Sequence, residues 1–287
     1  MQFLMLVFLM FSIPNDMLID QLVIEDEEKI IKTIHREELS YPILDLGFID
    51  VEQMKVHYEK LREIVYKAPI NAQIANNEQI IEGKTGYKLN ASKFYDALQK
   101  FFYSGALHRL EIPKQVIHPR VTGELLADIS VNKLGSFTTF YKKNNYERSH
   151  NINLATEAIN NHVVFPGESF SFNEVVGERT VETGYKRAPV IVKGEIAEDI
   201  GGGICQVSST LFNAVNLRGI QIVERYSHSR EVPYVPPGKD ATVSWWGPDF
   251  VFKNNYKEPI LIRAIAQNGK LEIHIYSSSE IPLYNNS

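Results

Sequence analysis

The chain closes on a succession of short apolar runs, IQIVERY, DATVSW, DFVFKN, PILIRAIA and KLEIHIYS, spread over residues 220–277 and separated by Pro, Gly and Asn. Runs of this length, rich in β-branched and aromatic residues and bounded by turn formers, read as strands. A helical bundle cannot be built from such a pattern. Upstream, LGSFTTFY predicts a strand over 134–141, and a helix follows over about 150–161 with Ile152, Ala155 and Ile159 inward. SFSF and GYKRAPVIVKGEI add further strands, the second ending at Gly194. The C-terminal half is therefore expected to be β-rich with two helices.

The first half reads as a smaller mixed module. DVEQMKVHYEKLREIVY has a capping residue at Asp50 and Gln53 three positions on, and Val51, Met54, Tyr58, Leu61 and Val65 recur at helical spacing. A second helix is predicted over Ser92–Tyr103, with Gly105 as its stop. Strand-like pieces lie between and after these helices. The fold class is α+β, with a module over 20–127, a β-rich domain over 128–278 and a tail over 279–287.

Composition narrows the function classes. Net charge is -5, and no Lys/Arg-rich block is present, which argues against nucleic acid as a partner. One cysteine in 287 residues excludes an intramolecular disulfide and a multi-cysteine zinc site. A ligand set of Cys205, His228 and His150 matches no standard zinc spacing, so neither metal nor cofactor is expected. Residues Phe3 to Phe11 are consecutively apolar and have the length of a signal-peptide core, too short to cross a bilayer as an ordinary helix. Residues 1–19 are expected to be a signal or membrane-entry segment, although no basic residue precedes the run.

The single cysteine lies in GGGICQVSSTLFNAVNLRGI, residues 201–220. Ile204, Val207, Leu211 and Ala214/Val215 form a helical stripe, Gln206, Ser209, Asn213 and Asn216 form a polar face, and Gly219 closes the pattern. Cys205 falls at the helix start, where unpaired amides and the helix dipole favour a thiolate. The glycines permit positive φ and leave room for another chain beside the sulfur. About 14 helical residues carry the chain roughly 21 Å away from Cys205. A strand over Ile220–His228 returns about 25 Å, bringing His228 back to the level of the thiol. His228 would then serve as base to a Cys205 nucleophile. Asp240 is the favoured group to orient the imidazole, with Asp249 as the other choice. Gly203 and Gln206 are candidates for oxyanion stabilisation.

Other residues are candidates for binding. Trp245 and Trp246, adjacent in a strand, would point to opposite faces, one toward the core and one as a platform for a sugar ring. Arg187 and Arg230 could hold a carboxylate. Glu174, at a strand-to-turn junction, is a reserve acid–base group.

The order of a cysteine at a helix start, then His and Asp on following strands, is similar to the papain and transglutaminase-like arrangements. The stretch from about 134 to 262 resembles the VanW family of bacterial proteins, through FSFNEVVGERTVETGYKRAPVIVKGE, IGGGICQVSSTLFNAV, HSREVPYVPPGKDATVSW and DFVFKN. Residues around 41–128 resemble, more faintly, the peptidoglycan-binding modules that precede such domains. The resemblance implies a Gram-positive, extracytoplasmic envelope setting, a link to vancomycin-resistance clusters, peptidoglycan or its precursors as partner, and membrane association through the N-terminus. Three activities fit: a thiol amidase, peptidase or transferase; a non-catalytic peptidoglycan-binding protein; or an envelope scaffold.

Overall fold

A computed structural model describes residues 20–41, 47–192 and 195–281. The apolar run within residues 1–19 and the end of the tail, 282–287, lie outside the described residues. The chain forms two compact units. The first takes its residues from the chain up to and including Ile70 and from Lys84–Pro119; the second comprises Asn71–Gly83 and the residues from Arg120 onward. The hairpin of Gln73–Ile74 with Ile80–Ile81 thus belongs to the second unit, although the sequence placed it in the first module.

In the first unit, the strands Gln21–Asp26 and Lys29–His35 pair antiparallel, and Arg109–Glu111 joins the former in parallel. Helix Val51–Val65 starts at Asp50, whose carboxylate accepts from the amides of Glu52 and Gln53. Helix Ala91–Ser104 is capped by Asn90 and stopped by Gly105 at φ 60. Phe94, Leu98 and Phe101 face a core shared with Leu22, Ile24 and Leu61.

The second unit is built on a four-stranded antiparallel sheet in the order Asn132–Phe140, Lys270–Ser277, Ile260–Gln267, His162–Val164. Alternation in Lys270–Ser277 buries Leu271, Ile273 and Ile275 on one face. A second sheet runs Ser169–Ser171, Val251–Asn254, Ile220–Glu224 and stacks Phe170 on Phe252, ring centroids 5.0 Å apart. Helices Tyr146–Ile159 and Ile204–Ala214 pack into the same core.

Several sequence expectations shift here. Helix Tyr146–Ile159 begins earlier than predicted because Asn145 caps it, its side chain accepting from the Arg148 amide. The run predicted as one strand to Gly194 is a hairpin of Arg187–Val192 and Glu195–Ile200. Helix Ile204–Ala214 is shorter than the predicted span, and Gly219 lies beyond it. A Cβ on Gly219 would fall 2.2 Å from the Tyr256 ring, so close packing rather than helix termination selects glycine there.

Candidate active site

The approach to Cys205 is assembled from three segments. Strand Glu195–Ile200 runs straight into Gly201–Gly203, all buried, and Cys205 is the second residue of the helix that follows. Gly201 and Gly203 have φ of 87 and 113, as expected of a sharp entry. Gly202 is glycine for another reason: a Cβ there would lie 2.5 Å from the Ala188 carbonyl oxygen. The room that the triglycine was expected to offer another chain is filled by this protein's own backbone and by the stems of Arg179 and Arg148. Asn151, fully buried on the preceding helix, locks the arrangement. Its amide donates to the carbonyls of Lys186 and Gly202, and its oxygen accepts from the Lys186 amide.

The helix is buried on every side, contrary to the polar face predicted for it. Apart from Cys205, every residue from Ile204 to Phe212 is buried. Its polar side chains are satisfied inward, and they position the next loop. Ser208 donates to the Ala241 carbonyl at 2.6 Å. The Ser209 hydroxyl accepts from the Ala241 amide at 2.9 Å, and the Asn213 amide donates to the Lys239 carbonyl at 2.7 Å. The helix that carries Cys205 therefore holds segment 239–241 in register beside itself. Within that segment stands Asp240.

His228 completes the constellation. The regular strand ends at Glu224, short of the predicted His228, and one bridge between Tyr226 and Thr242 carries the pairing forward. Asp240 lies just before this bridge rather than opening a regular strand. Its Oδ2 accepts both from the His228 amide at 2.6 Å and from Nδ1 of the ring at 2.7 Å. Arg225 secures the same loop, its Nε donating to the Asp240 carbonyl at 2.7 Å. The imidazole is 5% exposed and the Asp240 side chain 9%. With Nδ1 committed to Asp240, the ring also acts on the Cys205 sulfur, through a hydrogen-bonding and charge interaction that favours the ionised thiol. Sγ also lies 3.4 Å from the Val243 carbonyl oxygen and 3.8 Å from Thr242 Oγ1.

The electrostatics follow from these contacts. Burial of the sulfur opposes ionisation, but the hydrogen bond and charge of His228, with the Val243 backbone and Thr242, outweigh it and hold the thiol below its ordinary value. For His228, burial opposes protonation, while Cys205 and then Asp240 overcome it and raise the imidazole. Asp240, despite burial, is lowered by the two His228 hydrogen bonds. The two shifts run toward each other, in the direction of a thiolate beside an imidazolium.

The remaining predicted residues are placed differently. Both amide hydrogens of Gln206 are used internally, toward Thr139 Oγ1 and the Phe140 carbonyl, so this side chain is not an oxyanion donor. Gly203 caps the helix in a left-handed conformation. Asp249 is away from the imidazole: it holds Ser171 Oγ at 2.5 Å and the amides of Asn173 and Phe250. Glu174 is exposed in the first turn of the short helix Phe172–Val176. Trp245 and Trp246 sit in a turn, not a strand, and neither is core; Trp246 is 89% exposed and Trp245 36%. Arg187 is exposed at the hairpin base, near the Glu198 carbonyl, and Arg230 is exposed. His150 contacts the Gly184 carbonyl at 2.9 Å. Among the described residues, no three His, Cys, Asp or Glu side chains are arranged to hold a metal ion.

Three residues near the thiol were not anticipated. Arg148 and Arg179 both act on Cys205 electrostatically, as does Tyr234, which is hydrogen-bonded to Ser209 and whose hydroxyl is raised by burial. They come from segments distant in sequence, and no local pattern marks them.

This part of the chain is shared with known proteins. The VanW like protein family profile matches residues 147–276. Uncharacterized protein YoaR of Bacillus subtilis (strain 168) is 50% identical over 262 residues, covering 91% of this chain and 86% of that protein. The chain belongs to the VanW-like family. Vancomycin B-type resistance protein VanW of Enterococcus faecalis (strain ATCC 700802 / V583) is 31% identical over 124 residues, 42% of this chain and 44% of that protein. No solved structure matches the chain significantly. The family match begins inside helix Tyr146–Ile159 and ends in the last strand of the main sheet, so Arg148, Arg179, Cys205, His228 and Asp240 all fall within the VanW-like region. No helix among the described residues is long and apolar enough to cross a membrane.

Proposed function

We propose that this VanW-like protein is a thiol-dependent acyl-transfer enzyme of the cell envelope, acting on an amide bond of peptidoglycan or its precursors. The observation that carries the reading is His228, bonded through Nδ1 to Asp240 and coupled to Cys205, whose thiol it lowers. The Cys205 thiolate attacks the carbonyl carbon and forms a tetrahedral oxyanion. At the start of the helix the amides of Ile204 and Gln206 already donate to the Gly201 and Gly203 carbonyls, so the main-chain amide of Cys205 itself is the proposed oxyanion donor. The intermediate expels the amine as His228 passes its proton to the leaving nitrogen, and a thioester remains. Water or a second amine then attacks the thioester, His228 takes the incoming proton, and the thiol group is released. Asp240 holds the ring in one tautomer and stabilises its charged form. The envelope setting is supported by family membership and by the vancomycin resistance in the name of the Enterococcus faecalis relative.

A second reading, binding without chemistry, is favoured by Trp246, whose exposed ring stands three residues from Val243 at the thiol. Purified peptidoglycan separates the two. Hydrolysis predicts release of new amine groups, and transfer to a second amine predicts altered cross-linking, by the wild type and neither by Cys205→Ala, with wall binding retained. If neither protein changes amine content or cross-linking while both co-sediment with the wall, the binding reading stands instead.

A further inference from the structure

The surroundings of the thiol carry more positive charge than the catalytic pair requires. Arg36, Arg62, Arg109, Arg120 and Arg225 each pair with a carboxylate. Arg148 and Arg179 do not, although both are half-buried and burial lowers both below the usual guanidinium range; the buried Arg263 also lacks a carboxylate, but it is tied to the Ile74 and Ala75 carbonyls and to Asn161. Their hydrogen bonds go to neutral acceptors: Arg148 to the Gln206 side chain at 2.9 Å, Arg179 to Asn173 Oδ1 at 2.8 Å and the Gly177 carbonyl at 3.0 Å. A half-buried charge without an opposite partner is costly, and one set close to a candidate nucleophile is a candidate for binding an anion there.

Geometry sets both stems against the glycines that lead into the nucleophile, and each guanidinium feels the charge of Cys205. A Cβ on Gly203 would meet Arg148 Cγ at 3.1 Å, and one on Gly201 would meet Arg179 Cβ at 3.3 Å. The two stems thus lie against the triglycine that leads into Cys205. The guanidinium of Arg179 also stands over the Trp245 ring, 6.0 Å from its centroid. The anions nearby are already engaged. Asp240 holds His228 and Arg225, and a thiolate at Cys205 is matched by the His228 imidazolium. Asp249 and Glu178 act on Arg179 only at longer range.

We infer that Arg148 and Arg179 form a carboxylate-binding subsite beside Cys205, so that the substrate is an acyl compound bearing a carboxylate close to the scissile carbonyl, such as a peptide ending in a free carboxylate. This rests on Cys205 being the nucleophile proposed above. A guanidinium presents paired donors that match a carboxylate, and two of them fix its position and thus the carbonyl beside it.

The test uses the single cysteine of the full chain with two reagents that differ only at the relevant group, iodoacetate and iodoacetamide. In both, Sγ displaces iodide from the same carbon. The ratio of the iodoacetate to the iodoacetamide rate is compared with that of the same chain in denaturant. The ratio is expected to be about tenfold higher in the folded protein and to fall toward the denatured value in Arg148→Gln and Arg179→Gln; a change in thiol ionisation affects both reagents alike and cancels in the ratio. Arg179→Lys, which keeps the charge if the glutamine variant fails to fold, should retain part of the preference. Brisk alkylation by both reagents with no preference for the anion, or a preference that survives both arginine variants, overturns the subsite and leaves the nucleophile intact. Reaction with neither reagent until the chain unfolds overturns both.

Discussion

One carboxylate oxygen of Asp240 accepts two hydrogen bonds from the same residue, the main-chain amide of His228 at 2.6 Å and its ring Nδ1 at 2.7 Å. Backbone and ring are thereby fixed by a single atom, and the imidazole has little freedom to turn away from the sulfur. Asp240 in turn is flanked by Lys239 and Ala241, both bonded to the Cys205 helix. The nucleophile-bearing helix and the orienting acid are one hydrogen-bonded assembly.

Removing His228 should reverse the ionisation of Cys205. The thiol is held down mainly by the imidazole, against burial that pushes it up. In His228→Ala, burial is left with weaker opposition, so the thiol pKa should rise toward or above the free value of about 8.5. The iodoacetamide rate as a function of pH reads this directly, because the chain has one cysteine. Wild type should keep a reactive plateau below that value, and the variant should lose it. Superimposed profiles would refute the coupling.

Asp240→Asn should weaken both stability and thiol activation. The buried oxygen that serves His228 loses its charge, and an amide nitrogen can take its place, at a cost of about 1–3 kcal/mol. The sign of the pH effect is fixed. Asp240 is lowered in the folded state, so its contribution is present above the unfolded carboxyl pKa and lost as pH falls through the folded value. Wild type should therefore lose Tm faster than Asp240→Asn as pH drops below about 4. Parallel Tm curves across that range would count against it.

The hydroxyl of Ser209 is expected to be as important as its burial suggests. It accepts from the Ala241 amide at 2.9 Å and donates to the Cys205 carbonyl at 2.6 Å. Ser209→Ala leaves the Ala241 N–H buried and unpaired, costing about 1–3 kcal/mol in urea unfolding. It should also raise the thiol pKa, since the loop carrying Asp240 is released. An unchanged thiol profile in a destabilised variant would show that the helix does not register the acid.

How much of this was legible follows from where the information lies. The spacing from Cys205 to His228 and Asp240 is local arithmetic on a helix and a returning extended segment, and it survived even though the helix was overestimated and the strand stops at Glu224. The two errors fall on opposite arms of the same excursion, so they offset one another. The environment of the helix was not legible. Gln206, Ser208, Ser209 and Thr210 have the composition of a solvated face, yet they are buried because the strand Asn132–Phe140 and the loop at Ala241 supply partners for them. Arg148 and Arg179 were missed because their proximity to the thiol depends on tertiary packing against Gly201 and Gly203. The tryptophans were misplaced because Ser244–Gly247 closes a turn, with the Gly247 amide donating to the Ser244 carbonyl, where alternation had suggested a strand.

Trp246→Ala separates a surface made for binding from one that is merely exposed. The ring is 89% exposed, its aromatic neighbour is Trp245 at 6.1 Å, and truncation removes almost no burial. Stability should therefore stay within about 0.5 kcal/mol of wild type. The turn that carries it follows directly on Thr242 and Val243, which touch the Cys205 sulfur, so a substrate extending away from the thiol along this side would meet the ring. If the indole stacks on a sugar, co-sedimentation with purified peptidoglycan should weaken by about tenfold, the equivalent of 1.4 kcal/mol, while the iodoacetamide rate of Cys205 is unchanged. Equal wall binding by Trp246→Ala and wild type would remove the ring from the binding surface, and the fully solvated indole would then have no part in holding the substrate.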